Sequence, residues 1–182
     1  MQHCIDSGAK FVFGIDHSLE AVQQAKKIVT DSRAHFAHLA ISQHRQIIDF
    51  VKNVAKSDVE VILCNAAQIP LEKPLENGYF VGQDGRAMLD EVLEFAARCL
   101  PLNAVLILTH TSLSNLDKTM EMAKGKHLNA EVMSDSHHKF AFYEELRTEN
   151  ICDYLRKRGL LLGEDDQVEG CIVRITRMNN NM

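Results

Sequence analysis

Two uncharged amide side chains follow a short apolar segment near the middle of the sequence. The segment VILC ends at Cys64, Asn65 comes next, and Gln68 follows after two alanines. An amide oxygen can accept a hydrogen bond from a substrate N–H, and a neighbouring backbone carbonyl can accept a second one. Two such acceptors orient a nitrogen for reaction, and orientation can supply much of a rate. The alternative is that Asn65 only closes a turn by bonding to its own backbone.

A carboxylate ends another apolar segment, KFVFGID, at Asp16. Ser18 follows it and is a good cap for the helical pattern that begins there. An acid between a strand and a helix commonly accepts hydrogen bonds from the ribose hydroxyls of an adenosine cofactor. Acids are also frequent in plain turns that begin a helix. Asp16 is therefore predicted to bind a ribose, with a simple turn as the alternative.

These side chains follow strands that alternate with helices. The predicted strands are Lys10–Asp16, Ala34–Ile41, Val59–Cys64, Ala104–His110, NAEVMSD from residue 129 and GCIVRITRM from residue 170. Apolar residues at helical spacing fill the segments between them, and Ser114 with Asp117 is predicted to form a capping box. This alternation indicates an α/β sheet with helices on both faces. Ligands of such sheets bind at the carboxyl ends of the strands, where Asp16, Ala40, Asn65 and His110 are placed.

Composition narrows the possible classes of protein. The 182 residues carry a net charge of -5, which provides no broad basic surface for nucleic acid. Five cysteines without a Cys-x-x-Cys pair indicate reduced thiols. No apolar run reaches the roughly 18 residues that cross a bilayer, and the first residues do not form a signal peptide. We expect a soluble, cytoplasmic protein whose partner is a small molecule or another protein, without a membrane partner.

Two other kinds of site are considered and disfavoured. His35 with His38 and the histidines of SDSHH suggest a metal site, but their spacing matches no structural zinc site, so no metal is expected. THTSLS around His110 contains serine and histidine, but the Gly-x-Ser-x-Gly sequence of a hydrolase elbow is absent. Neither metal binding nor hydrolysis is therefore predicted.

Four segments together resemble a known family. They are GIDHSLEAVQQAKKIV, VEVILCNAAQIP, GQDGRAMLDEVLEFAARCL and AVLILTHTSLSN. In this order they are similar to class I S-adenosylmethionine-dependent methyltransferases, in particular to the HemK-like group, which methylates glutamine amides or other amino nitrogens. The resemblance extends over nearly the whole chain from about Gly8. It implies a Rossmann-like α/β sheet and S-adenosylmethionine as the cofactor.

The resemblance also implies roles for particular residues. The family's Asn-Pro-Pro-aromatic loop falls on residues 65–68, so Asn65 and the carbonyl of Ala66 would receive the target nitrogen, with Gln68 in the position of the aromatic residue. The implied cofactor-binding residues are Gly14, Ile15, Asp16, Ala40 and Cys64. The implied substrate is a protein glutamine or a small amine.

The chain departs from the family pattern in several places. Both loop prolines are replaced by alanine, and Gln68 replaces the aromatic residue. The acid expected after the family's third strand, which would meet the adenine amino group, is absent from HLAIS. The family's first, central strand and its glycine-rich loop have no counterpart before Gly8. We therefore expect one incomplete domain over residues 1–178 and a loose tail at 179–182. The chain is then a fragment, or a second chain supplies the strand, or the two exposed strand edges pair directly.

Two alternative functions stay open. A nicotinamide-dependent oxidoreductase would also use Asp16, but the loop from Asn65 to Gln68 has no comparable role in such an enzyme. A degenerate, split or truncated methyltransferase fold that serves as a binding module would explain the missing glycine loop and prolines. On either methyltransferase reading, we expect the chain alone to bind the cofactor poorly.

Overall fold

The structure is a computed structural model, and it describes residues 1–55, 59–74, 81–139, 149–161 and 167–178. The chain divides into two compact units, Met1–Val59 and Glu60–Met182. Each unit contains its own β-sheet. The expectation of a single domain over residues 1–178 stays a prediction, and the expected tail at 179–182 lies outside the described residues.

The first unit contains two parallel strands and three helices. Its elements are α1 (Gln2–Asp6), β1 (Val12–Asp16), α2 (Leu19–Ile28), β2 (Ala34–His38) and α3 (His44–Ala55). β1 and β2 pair in parallel from Val12 opposite Ala34 to Asp16 opposite His38. The hydroxyl of Ser18 accepts a hydrogen bond from the backbone N–H of Ala21 at 3.2 Å, which confirms the predicted helix cap.

The second unit contains a mixed four-stranded sheet with the strand order β3-β4-β6-β5. Its elements are β3 (Val61–Cys64), α4 (Ala87–Cys99), β4 (Val105–Thr111), α5 (Leu116–Gly125), β5 (Leu128–Lys139), α6 (Glu149–Lys157) and β6 (Gln167–Arg177). β3 and β4 are parallel, whereas β6 is antiparallel to both of its neighbours. The strands and helices predicted in this part of the sequence are therefore confirmed.

One face of this sheet is buried and the other is exposed along β3. Leu106 and Leu108 of β4 are buried, as are Val173 and Ile175 of β6, their partners on the neighbouring strand. On β3, Val61 and Leu63 are 56% and 65% exposed. Among the described strands, β3 is also at the edge of its sheet.

The capping box predicted at Ser114 with Asp117 is wrong. The residue that caps α5 is Asn115, whose side-chain oxygen accepts a hydrogen bond from the backbone N–H of Lys118 at 3.0 Å. Asn115 has a φ of 56°, a left-handed conformation that asparagine adopts more readily than serine. Ser114 instead ends a short 3-10 helix and turns its hydroxyl toward other backbone groups. Among the described helices, none is long and apolar enough to cross a membrane.

Candidate functional site

Asn65 begins the loop after β3, and its side chain is held from the neighbouring strand. Its carboxamide oxygen Oδ1 accepts a hydrogen bond from the hydroxyl of Thr109 at 2.6 Å. In the register of the parallel pair, Cys64 lies opposite Leu108, so Asn65 and Thr109 are the next residues along the two strands. Both Asn65 and Thr109 are exposed. The hydrogen bond described for Asn65 thus crosses to β4 and presents an amide oxygen at the carboxyl end of β3.

Gln68, the second predicted amide, is buried, with an exposure of 4%. Its Nε2 donates to the carbonyls of Thr109 at 2.8 Å and Ala66 at 3.1 Å. Its Oε1 accepts from the backbone N–H of Thr111 at 2.8 Å. The side chain therefore pairs with the end of β4 much as a backbone peptide unit would. This arrangement satisfies the polar groups of a buried amide, as burial requires.

The loop carbonyl assigned to substrate binding is held by this same side chain. Ala66 is buried, and its carbonyl accepts the bond from Gln68 Nε2. A carbonyl oxygen has two lone pairs, so one bond does not exhaust its capacity. The loop lacks the two prolines that would restrict its backbone, and the hydrogen bonds of Gln68 restrain it instead. Gln68 thus acts in the described structure as an internal clamp on residues 65–68.

Two further residues complete the packing under the loop. The hydroxyl of Ser114 donates to the carbonyls of Gln68 at 2.8 Å and Gly85 at 3.2 Å. Gly85 has a φ of +68° and lies directly against the Gln68 carbonyl. Glycine accommodates both this conformation and this close approach, because it lacks a Cβ.

A buried polar cluster lies beside the loop and was missed by sequence reasoning. The Arg86 side chain is 1% exposed and donates to Thr119 Oγ1 at 2.9 Å, to the Asn115 carbonyl at 3.0 Å and to Asp90 at 2.8 Å. Thr119 also bonds to Nε2 of the buried His110 at 2.8 Å. Burial, helped by the charge of Arg86, lowers the pKa of His110 to about 4. His110 is therefore neutral at physiological pH, and its contact with Thr119 is part of the packing inside the unit.

Neither Thr109 nor Arg86 carried a pattern that sequence reasoning could use. Thr109 is one of several hydroxyl residues in THTSLS, and only the strand register sets it opposite Asn65. Arg86 begins an amphipathic helix, where an arginine is usually exposed. Their roles depend on contacts between residues far apart in sequence.

In the first unit, the predicted cofactor-binding residues lie at the carboxyl ends of β1 and β2. Asp16 is exposed, and its Oδ1 accepts a hydrogen bond from the backbone N–H of Ser18 at 2.8 Å. Ala40 begins the turn before α3, and its N–H donates to the Gln43 side chain at 2.7 Å. An exposed carboxylate at the end of a strand suits ribose hydroxyls, so Asp16 fits the expected cofactor.

Gly14 and Ile15 precede Asp16 on β1. A methyl group at Gly14 would lie 2.8 Å from the sulfur of Met1 and 3.0 Å from the ring of Phe36. Met1 and Phe36 therefore fill the space that a side chain at position 14 would need. Ile15 is partly buried. Of these residues, Asp16 presents the group best suited to a polar ligand.

Cys64 ends β3 in the second unit, directly before Asn65. Burial raises the pKa of its thiol to about 11, so the group is neutral at physiological pH. A neutral thiol suits an apolar or uncharged neighbour better than a nucleophilic role. The second unit thus places Cys64 at the end of β3 and Asn65, Ala66 and Gln68 in the loop that follows, where Asn65 and Gln68 bond to Thr109. Gly14, Ile15, Asp16 and Ala40 lie together in the first unit.

His38, one of the histidines considered for a metal site, contacts the backbone. Nε2 of His38 lies 2.8 Å from the carbonyl of His17. Among the described residues, no group of three or more His, Cys, Asp or Glu side chains could hold a metal ion. The side chains of the SDSHH stretch from Asp135 onward lie outside the description.

Comparisons with known proteins find similar solved structures but no similar sequence. No family model matches the sequence, and the search of curated proteins finds no match. The solved structure of the YcgJ protein from Bacillus subtilis is similar with a TM-score of 0.61 and 9% identity, over 98% of this chain and 87% of that chain. A protein described as an S-adenosylmethionine-dependent methyltransferase from Listeria monocytogenes has a TM-score of 0.53 and 12% identity, over 97% and 86% of the two chains.

A third similar structure is the N-methyltransferase NodS from Bradyrhizobium japonicum. It has a TM-score of 0.51 and 10% identity, over 98% of this chain and 79% of that chain. At these identities the likeness concerns the fold alone. The chain has the Rossmann-like α/β fold of S-adenosylmethionine-dependent methyltransferases, which confirms the predicted fold class.

Proposed function

We propose that this protein is an S-adenosylmethionine-dependent methyltransferase of the HemK-like kind, acting on an amide or amino nitrogen of a protein glutamine or a small amine. The observation that carries the proposal is the exposed carboxamide oxygen of Asn65, held 2.6 Å from Thr109 at the carboxyl end of β3. The fold supports methyl transfer in general, since NodS and the Listeria protein share it. It is not specific to a nitrogen substrate.

The first unit would bind the adenosine part of the cofactor through Asp16. Its carboxylate is about half exposed, at 48% of the side-chain surface, so it can accept hydrogen bonds from two ribose hydroxyls. Gly14, Ile15 and Ala40 would contribute the adjoining backbone. Cys64 stays a predicted cofactor contact. When bound, S-adenosylmethionine supplies an electrophilic methyl group on a positively charged sulfur. Cytoplasmic location and the absence of a metal requirement remain parts of this proposal.

The second unit would hold the nitrogen. Asn65 Oδ1 and the Ala66 carbonyl would accept hydrogen bonds from its two N–H groups, since each oxygen keeps a lone pair besides the bond described above. Two acceptors in this arrangement leave the nitrogen lone pair perpendicular to them and available for attack. The nitrogen would accept the methyl group that S-adenosylmethionine supplies and would then release a proton to water. The protein residues in this mechanism orient the nitrogen and are not themselves modified.

The first experiment is calorimetric titration of the chain with S-adenosylhomocysteine, with NADH as the control for an oxidoreductase. Binding of the first alone supports a methyltransferase site, and binding of NADH alone favours the oxidoreductase. Binding of neither favours a fragment, a split enzyme or a binding module. We expect weak binding by the isolated chain, so a micromolar dissociation constant would contradict that part of the proposal.

The nitrogen-binding role is tested with Asn65→Ala. Transfer of labelled methyl from S-adenosylmethionine to glutamine-containing peptides and to primary amines should fall by about tenfold or more, because a transition-state contact is lost. The affinity for S-adenosylhomocysteine should stay unchanged. Asn103→Ala is the matched control, since Asn103 is an exposed asparagine in the turn before β4. Equal loss of turnover and cofactor affinity in Asn65→Ala would assign Asn65 a structural role.

We also propose that a β-strand of a second chain pairs with β3. Support comes from β3 itself, an edge strand whose Val61 and Leu63 are more than half exposed. An apolar edge of this kind favours pairing with another strand. A second copy of this chain is the first candidate to test.

A further inference from the structure

Thr109 and Asn65 occupy neighbouring positions at the ends of two parallel strands, and their side chains are hydrogen-bonded. We propose that Thr109 is a positioning residue, whose hydroxyl holds the Asn65 carboxamide with its oxygen in the direction that receives a substrate N–H. This inference rests on the proposed function and names a residue on which that function depends. It also concerns a property of the Asn65 side chain that can be measured without any substrate.

Because Asn65 and Thr109 are both exposed, the Thr109 hydroxyl is needed to restrain the Asn65 side chain. Leu108 and His110 on either side of Thr109 are buried, whereas Thr109 and Asn65 are exposed. An exposed asparagine exchanges between rotamers and gives up that freedom when it binds a ligand. Threonine is branched at Cβ and restricted in χ1, so its hydroxyl is held in place by the strand backbone. Thr109 can therefore restrict Asn65 before any substrate arrives.

The distance and the direction of the hydrogen bond specify which Asn65 atom is fixed. At 2.6 Å the bond is short within the ordinary range for O–H···O contacts. The Asn65 atom beside the Thr109 hydroxyl is the oxygen Oδ1, which only accepts, so the hydroxyl donates. The bond uses one of the two lone pairs of Oδ1 and leaves the other for an N–H group.

The second proposed acceptor is tied to the same strand end. Gln68 Nε2 donates both to the Ala66 carbonyl and to the Thr109 carbonyl, and Gln68 Oε1 accepts from the N–H of Thr111. The segment from Thr109 to Thr111 thus restrains both acceptors, Asn65 through a side chain and Ala66 through Gln68. Residues 109–111 of β4 therefore help to set the distance between Asn65 Oδ1 and the Ala66 carbonyl.

The test compares Thr109→Val with Thr109→Ser in the full chain. Valine keeps the branched shape and the strand propensity but has no hydroxyl, and serine keeps the hydroxyl. The side-chain NH2 signals of Asn65 in nitrogen-15-labelled protein are assigned from their loss in Asn65→Asp. Their picosecond-to-nanosecond mobility should be low in the wild type and Thr109→Ser, and should rise in Thr109→Val to that of Asn103. Unchanged mobility in Thr109→Val would overturn the proposal.

Kinetics provide an independent readout. In an active wild type, Thr109→Val should lower kcat about fivefold to tenfold, as expected for the loss of one hydrogen bond. The dissociation constant for S-adenosylhomocysteine should not change, and Thr109→Ser should recover most of kcat. An unchanged kcat in Thr109→Val would also overturn the proposal. A wild type that transfers no methyl group would contradict the proposed function, while the mobility of Asn65 would still decide whether Thr109 positions it.

Discussion

A methyl group in place of the Gly85 hydrogen would lie 2.4 Å from the carbonyl oxygen of Gln68. No real Cβ–oxygen contact is so short, so the two backbones can approach only with glycine at position 85. The same carbonyl accepts the Ser114 hydroxyl at 2.8 Å. The conformation of the loop after β3 therefore depends on a residue that lies 20 positions from Asn65 in sequence.

Gly85→Ala should destabilise the protein by about 2–4 kcal/mol, because a left-handed conformation and an overpacked contact add together. Gly159→Ala is the matched control. Gly159 has a φ of +65°, close to that of Gly85, but nothing lies within 4 Å of its added Cβ. It should cost about 1 kcal/mol, the backbone contribution alone. Urea unfolding of both variants separates the cost of the Cβ contact with Gln68 from the cost of the left-handed backbone. Equal losses of unfolding free energy would show that the structure relieves the contact without cost.

Gln68→Leu should cost about 2–4 kcal/mol, since it leaves the backbone groups of Thr109 and Thr111 without their side-chain partner. Gln83→Leu is the control, because Gln83 is exposed and its side chain donates a long hydrogen bond of 3.4 Å to the Glu72 carbonyl. It should change stability by less than about 0.5 kcal/mol. A small loss in Gln68→Leu, measured by urea unfolding, would mean that water or rearranged backbone replaces the clamp.

The stability of the protein should depend on pH through His110. Its pKa is lowered from 6.5 to about 4 in the folded protein. The unfolded chain therefore takes up a proton near pH 6.5 while the folded chain does not, so stability falls as the pH drops from 6.5 to 4. The loss amounts to at most ~3 kcal/mol. Unfolding free energies measured across this range should lose that slope in His110→Gln and keep it in His17→Gln, a change at an exposed histidine.

Arg86→Met should destabilise the protein by about 3 kcal/mol or more, because Thr119, Asp90 and two backbone carbonyls lose a buried donor. The pKa of His110 should also rise, since the charge of Arg86 helps to lower it. Arg98→Met is the control, because the Arg98 pair with Glu94 is on the surface, and it should cost less than about 1 kcal/mol. Unfolding measurements and titration of the His110 ring by NMR check both effects. An unchanged His110 pKa would show that burial alone lowers it.

Leu63→Lys should reduce concentration-dependent association if β3 pairs with a strand of another copy. A charge on this exposed edge opposes pairing, while the fold should keep its stability because Leu63 is 65% exposed. Leu102→Lys removes a similarly exposed leucine away from the edge and should leave association unchanged. Sedimentation velocity over a range of concentrations measures the effect. A wild type that is monomeric at every concentration would exclude a second copy of this chain as the partner of β3.

Local patterns predicted most of the secondary structure. Ser18 caps α2 as expected, and the apolar residues at helical spacing in α3 and α4 include the buried Ile47 and Leu93. These features depend on residues within a few positions of each other, so the sequence contains them directly. The capping box at Ser114 failed because Asn115, with its left-handed φ, could begin the same helix.

The candidate site could be located from the sequence but not built from it. Asn65 and Gln68 were recognised as a pair of amides after a strand, and the sequence by itself placed Asp16 at the end of another. Only the tertiary structure decided that Asn65 is exposed beside Thr109 while Gln68 is buried against the end of β4. Two amides three residues apart have the same chemistry, and what separates them is the register of β3 on β4 and the close approach of Gly85, which are contacts between distant parts of the chain.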